Sequence, residues 1–350
     1  MGDVIMTTPA LRALKQSFHC RITLLTSSMG RHAAPFIPEV DELIVADLPW
    51  VKSNLTAGEE ATASLIERIR KENFDGAVIF TVYSQSALPA ALMAYMADIP
   101  RRLAWCRENP YALLTDWLPD KEPYLFVQHQ VERDLQLVQS IGASTGSDHL
   151  HLEVKEADRH SLQSKLVQAG VDTSRPFLIF HPGVSEEKRL YPTAHWVAAG
   201  AMLTKEKQVL VTGTASEKSL THAIAEGIGA NAFDMAGLLT IGEFIAAIDA
   251  ARLVLSVNTS TVHIAAARQT PVVVLYANTN PQHTPWKVPS RVLPFSVPEK
   301  LKSKNEIIAW VNNQLYRDFV PFPEPEAVID AIAALYKVTE LTGTNIVDKV

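Results

Sequence analysis

The chain has 350 residues, 47% of them hydrophobic and 20% charged, and carries a formal net charge of −6 at pH 7. This is ample apolar material for large buried cores and two domains, and an acidic balance without dense Lys/Arg clusters gives no support to nucleic acid as a partner. The only cysteines, Cys20 and Cys106, lie far apart without metal-ligand spacing, which argues against a disulfide framework or zinc site and for a reducing cytoplasm.

No apolar run approaches the roughly 18 residues of a membrane span, and no basic start leads into a hydrophobic signal core. The expected setting is cytoplasmic, and peripheral contact with a membrane is compatible with it.

In chain order, helical periodicity over 4–17 precedes two apolar runs, RITLLTS (21–27) and ELIVAD (42–47). A helix over 60–72, the run GAVIFTV (76–82) and a helix over 86–96 follow. The stretch CRENPYALLTDWLPDKEPYLF, from about 105 to 128, reads as irregular, and helices are expected over 130–142 and 157–169. GVDTSRP (170–176) then breaks the pattern before a second series: FLIFHPG (177–183), helix 193–205, QVLVTG (208–213), helix 215–227, helix 241–250, RLVLSVN (252–258), a helix carrying His263, and PVVVLYA (271–277). Periodicity fades after 286 and returns in a helix over 326–337.

Continuous β-branched runs read as buried parallel strands. Their alternation with helices predicts α/β layers. The break near 170 suggests one domain over 1–170, a second over 171–325, and a final helix and tail, 326–350, that packs back on the first. Two such halves are expected to enclose a ligand cleft.

The residues able to do chemistry sit at strand ends. Asp3 is either a helix N-terminal acid or an exposed general base that takes a proton from a hydroxyl. His181 and Gly183 fall at the carboxyl end of a strand, where open α/β sheets present ligand contacts. Lys188 and Arg189 are suited to a diphosphate, unless they are a solvated pair beside Glu186 and Glu187. Glu217 serves the helix dipole or a ribose hydroxyl. Asn258, Thr259, Ser260 and Thr261 form a polar turn into a helix whose free N–H groups suit phosphate. His263, one turn on, is either a structural histidine or part of that site. Arg101, Arg102 and Arg107 are either a surface cluster or contacts for an anionic acceptor.

Taken in order, GDVIMTTPALRALK, HPGVSEEKRLYP and SVNTSTVHIAAARQTPVVVLYANTNP resemble glycosyltransferase family 9, which includes the ADP-heptose:lipopolysaccharide heptosyltransferases, and the resemblance covers nearly the whole chain. It implies a GT-B fold, in which two Rossmann-like domains with parallel sheets face each other, the first holding the acceptor and the second the nucleotide sugar. It also implies inverting transfer of heptose or a similar sugar, needing neither cofactor nor catalytic metal, from a donor such as an ADP-sugar to lipopolysaccharide core or a related surface glycan. The absence of a DxD motif agrees. Asp3 matches the family's base. Lys188 or Arg189 matches the diphosphate-binding cation, Glu217 the ribose contact, and Asn258, Thr259, Ser260 and His263 the loop and helix start that grip diphosphate and sugar.

Two departures qualify the resemblance. The family's Asn-Asp-Ser/Thr-Gly is Val257-Asn258-Thr259-Ser260 here, so an amide replaces a carboxylate and loses the charge-assisted part of its hydrogen bonds. Family members also have a buried strand before the Gly-Asp pair, at which this sequence starts; that first strand is expected to be missing. The alternatives are a catalytically impaired nucleotide-sugar-binding protein and a sugar-nucleotide epimerase of similar fold.

Overall fold

The computed structural model describes residues 1–51, 59–204 and 207–341. Residue 205, at the end of one expected helix, and the expected tail from 342 lie outside them. The chain forms two compact units, divided between Asp148 and His149.

The first unit opens with α1 (Gly2–Met6) and α2 (Thr8–Phe18). Pro9 has no N–H to offer the Ile5 carbonyl. The hydroxyl of Thr8 donates to that carbonyl instead, at 2.8 Å. Strands β1 (Thr23–Thr26) and β2 (Glu42–Val45) pair in parallel, and β3 (Gly76–Ile79), β4 (Arg101–Cys106) and β5 (Asp116–Pro119) form a second parallel sheet. Helices α3 (Glu59–Lys71) and α4 (Leu88–Met96) supply Leu65, Ile66, Ile69, Met93 and Ala94 to a core that also takes Leu25, Ile44 and Ala77, so both sheets share one apolar layer. Helix α5 (Gln130–Gln139) packs on α2. Its start is a capping box in which His129 accepts from Val131 N and Glu132 reaches back to His129 N. β5 and the end of β4 lie in the stretch that reads as irregular.

The second unit begins before the boundary expected near 170, because α6 (Glu156–Gln168) belongs to it. Arg159 pairs with Asp249 at 2.7 Å, and Lys165 and Ser161 hold Glu243 at 2.7 and 2.5 Å, which fastens α6 to α9 (Ile241–Ala250). Burial works against the Glu243 carboxylate, but its bonds from Lys165, Ser161 and Thr240 outweigh that and hold its pKa down at about 2.

Six parallel strands form the second sheet: β6 (Phe177–His181), β7 (Gln208–Val211), β8 (Ala232–Asp234), β9 (Leu253–Val257), β10 (Val272–Ala277) and β11 (Ser290–Phe295). Their order is β11-β10-β9-β6-β7-β8, the Rossmann order in which the chain runs outward from β6 one way and then resumes on its other side. Alternate strand residues, among them Phe180, Val211, Leu255 and Leu275, pack against α7 (Thr193–Leu203), α8 (Lys218–Ile228) and α12 (Pro325–Leu341). The opposite face meets α10 (Ser260–Arg268). Gly200 allows α7 and α8 to approach: a Cβ there would lie 2.3 Å from Ile228 Cδ1.

Two expectations about the C-terminal part change. A further helix, α11 (Glu306–Leu315), forms where periodicity fades, capped by the Asn305 side chain on Ile307 N and Ile308 N. The final helix, expected to pack on the first domain, instead buries Val328, Ile332 and Leu335 in the core of the second unit. Tyr191 anchors its approach by donating to the Pro323 carbonyl. Among the described residues no helix is long and apolar enough to cross a membrane.

Candidate active site

The second unit gathers its chemistry where the strand order reverses, between β6 and β9, the place where the carboxyl ends of an open parallel sheet leave a crevice. His181, the last residue of β6, is the register partner of Ser256 on β9. The His181 ring shares a 3.0 Å hydrogen bond between Nδ1 and Thr212 Oγ1 and lies 5.2 Å from the Phe244 ring. Burial lowers its pKa to about 4 against the raising influence of Glu217, so the imidazole is neutral at pH 7.

After His181 the chain runs through Gly183 into the 3-10 turn Glu187–Arg189. Glu186 accepts Lys188 Nζ at 3.3 Å and Arg189 Nη2 at 3.0 Å, while Arg189 Nη1 donates to the Asn258 carbonyl at 3.0 Å. The arginine therefore ties the loop after β6 to the loop after β9. The two cations expected to meet a diphosphate stand together, oriented by a carboxylate and partly open to solvent.

Glu217 closes a capping box: Thr214 N and Thr214 Oγ1 donate to its Oε2 at 2.7 and 2.9 Å. The carboxylate lies against Gly183, where a Cβ would fall 2.2 Å from Glu217 Oε1. Gly183→Ala is expected to push Glu217 out of its cap and cost about 1 kcal/mol in urea unfolding, the scale of a lost cap. In a Glu217→Ala background the same change should cost almost nothing; an undiminished cost there would show that Glu217 is not the obstacle.

Thr259 is the N-cap of α10 and Ser260 its first residue. The first N–H groups of a helix have no intrahelical acceptor and carry the positive end of its dipole. Ser256 Oγ and Thr259 Oγ1 lie 3.4 Å apart at this entrance. His263 is buried, 4% exposed, with its ring edge-on to His283 at 6.1 Å. Asn258 does not project its amide toward a donor as expected. Its Nδ2 donates to Ala277 O at 3.2 Å and Thr279 Oγ1 at 3.0 Å, and its Oδ1 accepts from Ala277 N at 3.2 Å. Both amide hydrogens are thus engaged in bracing the end of β10.

In the first unit, Asp3 is exposed in the first turn of α1, whose N-cap is Met1, so it stands on a helix rather than a loop tip. Of the three arginines, two depart from the expected acceptor role. Arg102 is buried and donates to the carbonyls of Ile99, Ala112 and Leu113; its guanidinium fastens main chain. Arg101 is exposed at the amino-terminal start of β4, the end opposite to that at which parallel sheets present ligands. Arg107 follows the carboxyl end of β4, bonded to Tyr83 O and Asp120 Oδ2 at 3.0 and 3.3 Å.

Sequence reading missed the polar groups beneath these positions. Arg133, 1% exposed, pairs with Asp120 and Glu122 at 3.0 and 2.8 Å and stacks over Trp105. Asp134 accepts from Thr7. A lone Thr212 after QVLV carried no signal either. Among the described residues no three His, Cys, Asp or Glu side chains are grouped to hold a metal ion.

Comparison with known proteins identifies the family and the fold. Residues 62–309 match the family model described as glycosyltransferase family 9 (heptosyltransferase). Lipopolysaccharide heptosyltransferase 2 of Salmonella typhimurium is 25% identical over 81% of this chain and 82% of its own length. Among solved structures, a family 9 glycosyltransferase of Veillonella parvula superposes with a TM-score of 0.78 at 18% identity, covering 95% of this chain and 94% of that one. The E. coli ADP-heptose lipopolysaccharide heptosyltransferase II gives 0.70 at 21% identity, with 96% of each chain covered. The chain belongs to glycosyltransferase family 9, and is a heptosyltransferase-like glycosyltransferase with the GT-B fold.

Proposed function

We propose that this protein transfers heptose or a similar sugar from an ADP-linked donor to lipopolysaccharide core or a related surface glycan at the cytoplasmic face of the inner membrane, with inversion and without a metal ion. The observation that carries this reading is that the loops after β6 and β9 meet, with Lys188 and Arg189, both oriented by Glu186, joined to the start of α10 through the bond of Arg189 to the Asn258 carbonyl. A nucleoside diphosphate has the charge and oxygen acceptors that such a place stabilises. Named relatives of this chain are lipopolysaccharide heptosyltransferases, which supports the sugar and acceptor classes.

In this reading the Asp3 carboxylate takes the proton of an acceptor hydroxyl. The acceptor oxygen then bonds to the anomeric carbon from the face opposite the diphosphate. The carbon–oxygen bond to the diphosphate breaks, and its electron pair leaves with the nucleotide. Lys188, Arg189 and the α10 N–H groups stabilise the charge that grows on that leaving group. Glu217 is assigned to the ribose, and neutral His181, Gly183, Thr259, Ser260 and His263 to the wall of the donor site. Asn258 braces it from behind, and Arg107 is assigned to an anionic acceptor.

Titration with ADP tests the donor half directly. Arg189→Ala is expected to raise the ADP dissociation constant by about 10- to 100-fold, the scale of charge-assisted hydrogen bonds, while adenosine, which lacks the diphosphate, binds both forms alike. Equal ADP affinity in the two forms would contradict the assignment.

A further inference from the structure

The Asp134 carboxyl is enclosed within the first unit, with the residue 2% exposed. Oδ1 accepts from Gln130 Nε2 at 2.7 Å, and Oδ2 lies 2.9 Å from Thr7 Oγ1, on a residue 127 positions away in sequence. The charged groups acting on it are Arg133, its neighbour on α5, and Asp3 on α1. Arg133 is itself engaged by Asp120 and Glu122. Gln130 also donates to the carbonyl of Thr81, so the helix face that carries Asp134 is fixed from two sides.

Thr7 Oγ1 is equally close to a second oxygen, the main-chain carbonyl of Asp3, at 2.9 Å. A threonine hydroxyl has one hydrogen. With both neighbours as pure acceptors, one of the two oxygen–oxygen contacts would lack a proton, a costly arrangement for buried polar atoms. A proton on the carboxyl resolves it: the acid donates to Thr7, and Thr7 donates to Asp3.

We infer that Asp134 is a positioning residue, held as a neutral carboxylic acid that donates to Thr7 and so fixes, through the Asp3 carbonyl, the helical turn that carries the Asp3 carboxylate. This rests on the reading of Asp3 as the base. The electrostatics agree. Burial pushes the Asp134 carboxyl up to about 7, the bonds from Thr7 and Gln130 and the charge of Arg133 oppose that, and Asp3 adds to it. The folded chain therefore holds this proton more tightly than the unfolded chain. The associated stabilisation is complete below about pH 4 and is lost as pH rises through about 7. Ionisation turns the Thr7 hydroxyl toward Asp134 and leaves the Asp3 carbonyl with the Thr7 backbone N–H alone, at 3.1 Å, which loosens the turn, so turnover falls over the same interval.

Replacement by a neutral residue with and without a donor separates positioning from bulk. Asp134→Leu is expected to lower kcat by about 10- to 100-fold at unchanged donor KM, the effect of a slightly misplaced catalytic group. Asp134→Asn, whose amide still donates to Thr7 and accepts from Gln130, should restore most of that loss and remove the fall in kcat as pH rises through 7. Thr7→Val should behave like Asp134→Leu, and Thr7→Ser should rescue it. Infrared spectra at pH 6 should show a protonated carboxyl band that Asp134→Asn lacks. The inference is overturned if Asp134→Asn is as impaired as Asp134→Leu, if it keeps the alkaline fall, or if no such band is present. Full turnover in Asp3→Asn would overturn the base assignment alone, because the infrared band and the pH dependence of unfolding report the Asp134 proton without any turnover.

Discussion

Arg133→Met is expected to lower the unfolding free energy of the first unit by about 3–5 kcal/mol, the cost of removing one member of a buried ionic cluster. The guanidinium bonds Asp120 through two nitrogens at 3.0 Å, Glu122 at 2.8 Å and the Thr81 carbonyl at 2.8 Å. Methionine fills similar space but leaves two buried carboxylates without their shared guanidinium; Asp120 keeps Arg107 and the Glu122 N–H, and Glu122 keeps the bonds from Gln128. The combined replacement Arg133→Met, Asp120→Asn, Glu122→Gln should recover a large part of the loss, since it removes the uncompensated charges with their partner. Urea denaturation of the three forms checks this. A single variant as stable as the parent would show that the cluster does not hold these strand ends.

The second large effect concerns chemistry. Asp3→Asn is expected to lower kcat by about 10²- to 10⁴-fold, the usual contribution of a positioned general base, while ADP binding stays unchanged if, as proposed, the donor contacts lie in the second unit. An amide keeps the shape of the carboxylate but does not take the acceptor proton. Pre-steady-state turnover together with ADP titration separates the two. A fall in ADP affinity that matches the fall in kcat would assign Asp3 to binding instead.

What the sequence disclosed follows from how thoroughly each element is buried. β6, β9 and β10 are enclosed on both faces, with the patterns FLIFH, LVLSV and VVVLYA buried almost throughout, so they appear as uninterrupted apolar runs. β5 (DWLP) and β11 (SRVLPF) are edge strands with largely exposed side chains and a proline each, and such strands carry no run to detect. β8 is three residues long. α11 was obscured by the proline-rich segments on either side, although Asn305 is an ordinary capping residue for it.

The site shows the same division. Candidates placed by their own element, such as His181 at the end of β6 or Thr259 and Ser260 at the start of α10, were legible as motif. Roles set by distant partners were not. Asn258 looks like a ligand-facing amide until Ala277 and Thr279 are seen to occupy it. Arg102 looks like part of a basic cluster until three carbonyls claim it. Asp134 and Thr7 carry no local pattern at all, because their bond joins two helices far apart in the chain.

Incubation of the protein with ADP-heptose and lipopolysaccharide core acceptor, with nucleotide release followed in time and the anomeric configuration of the product read by NMR, tests the proposed transfer most directly. The prediction is ADP release that requires the acceptor and a single product of inverted configuration. Donor that binds without acceptor-dependent release, or a product of retained configuration, would contradict it.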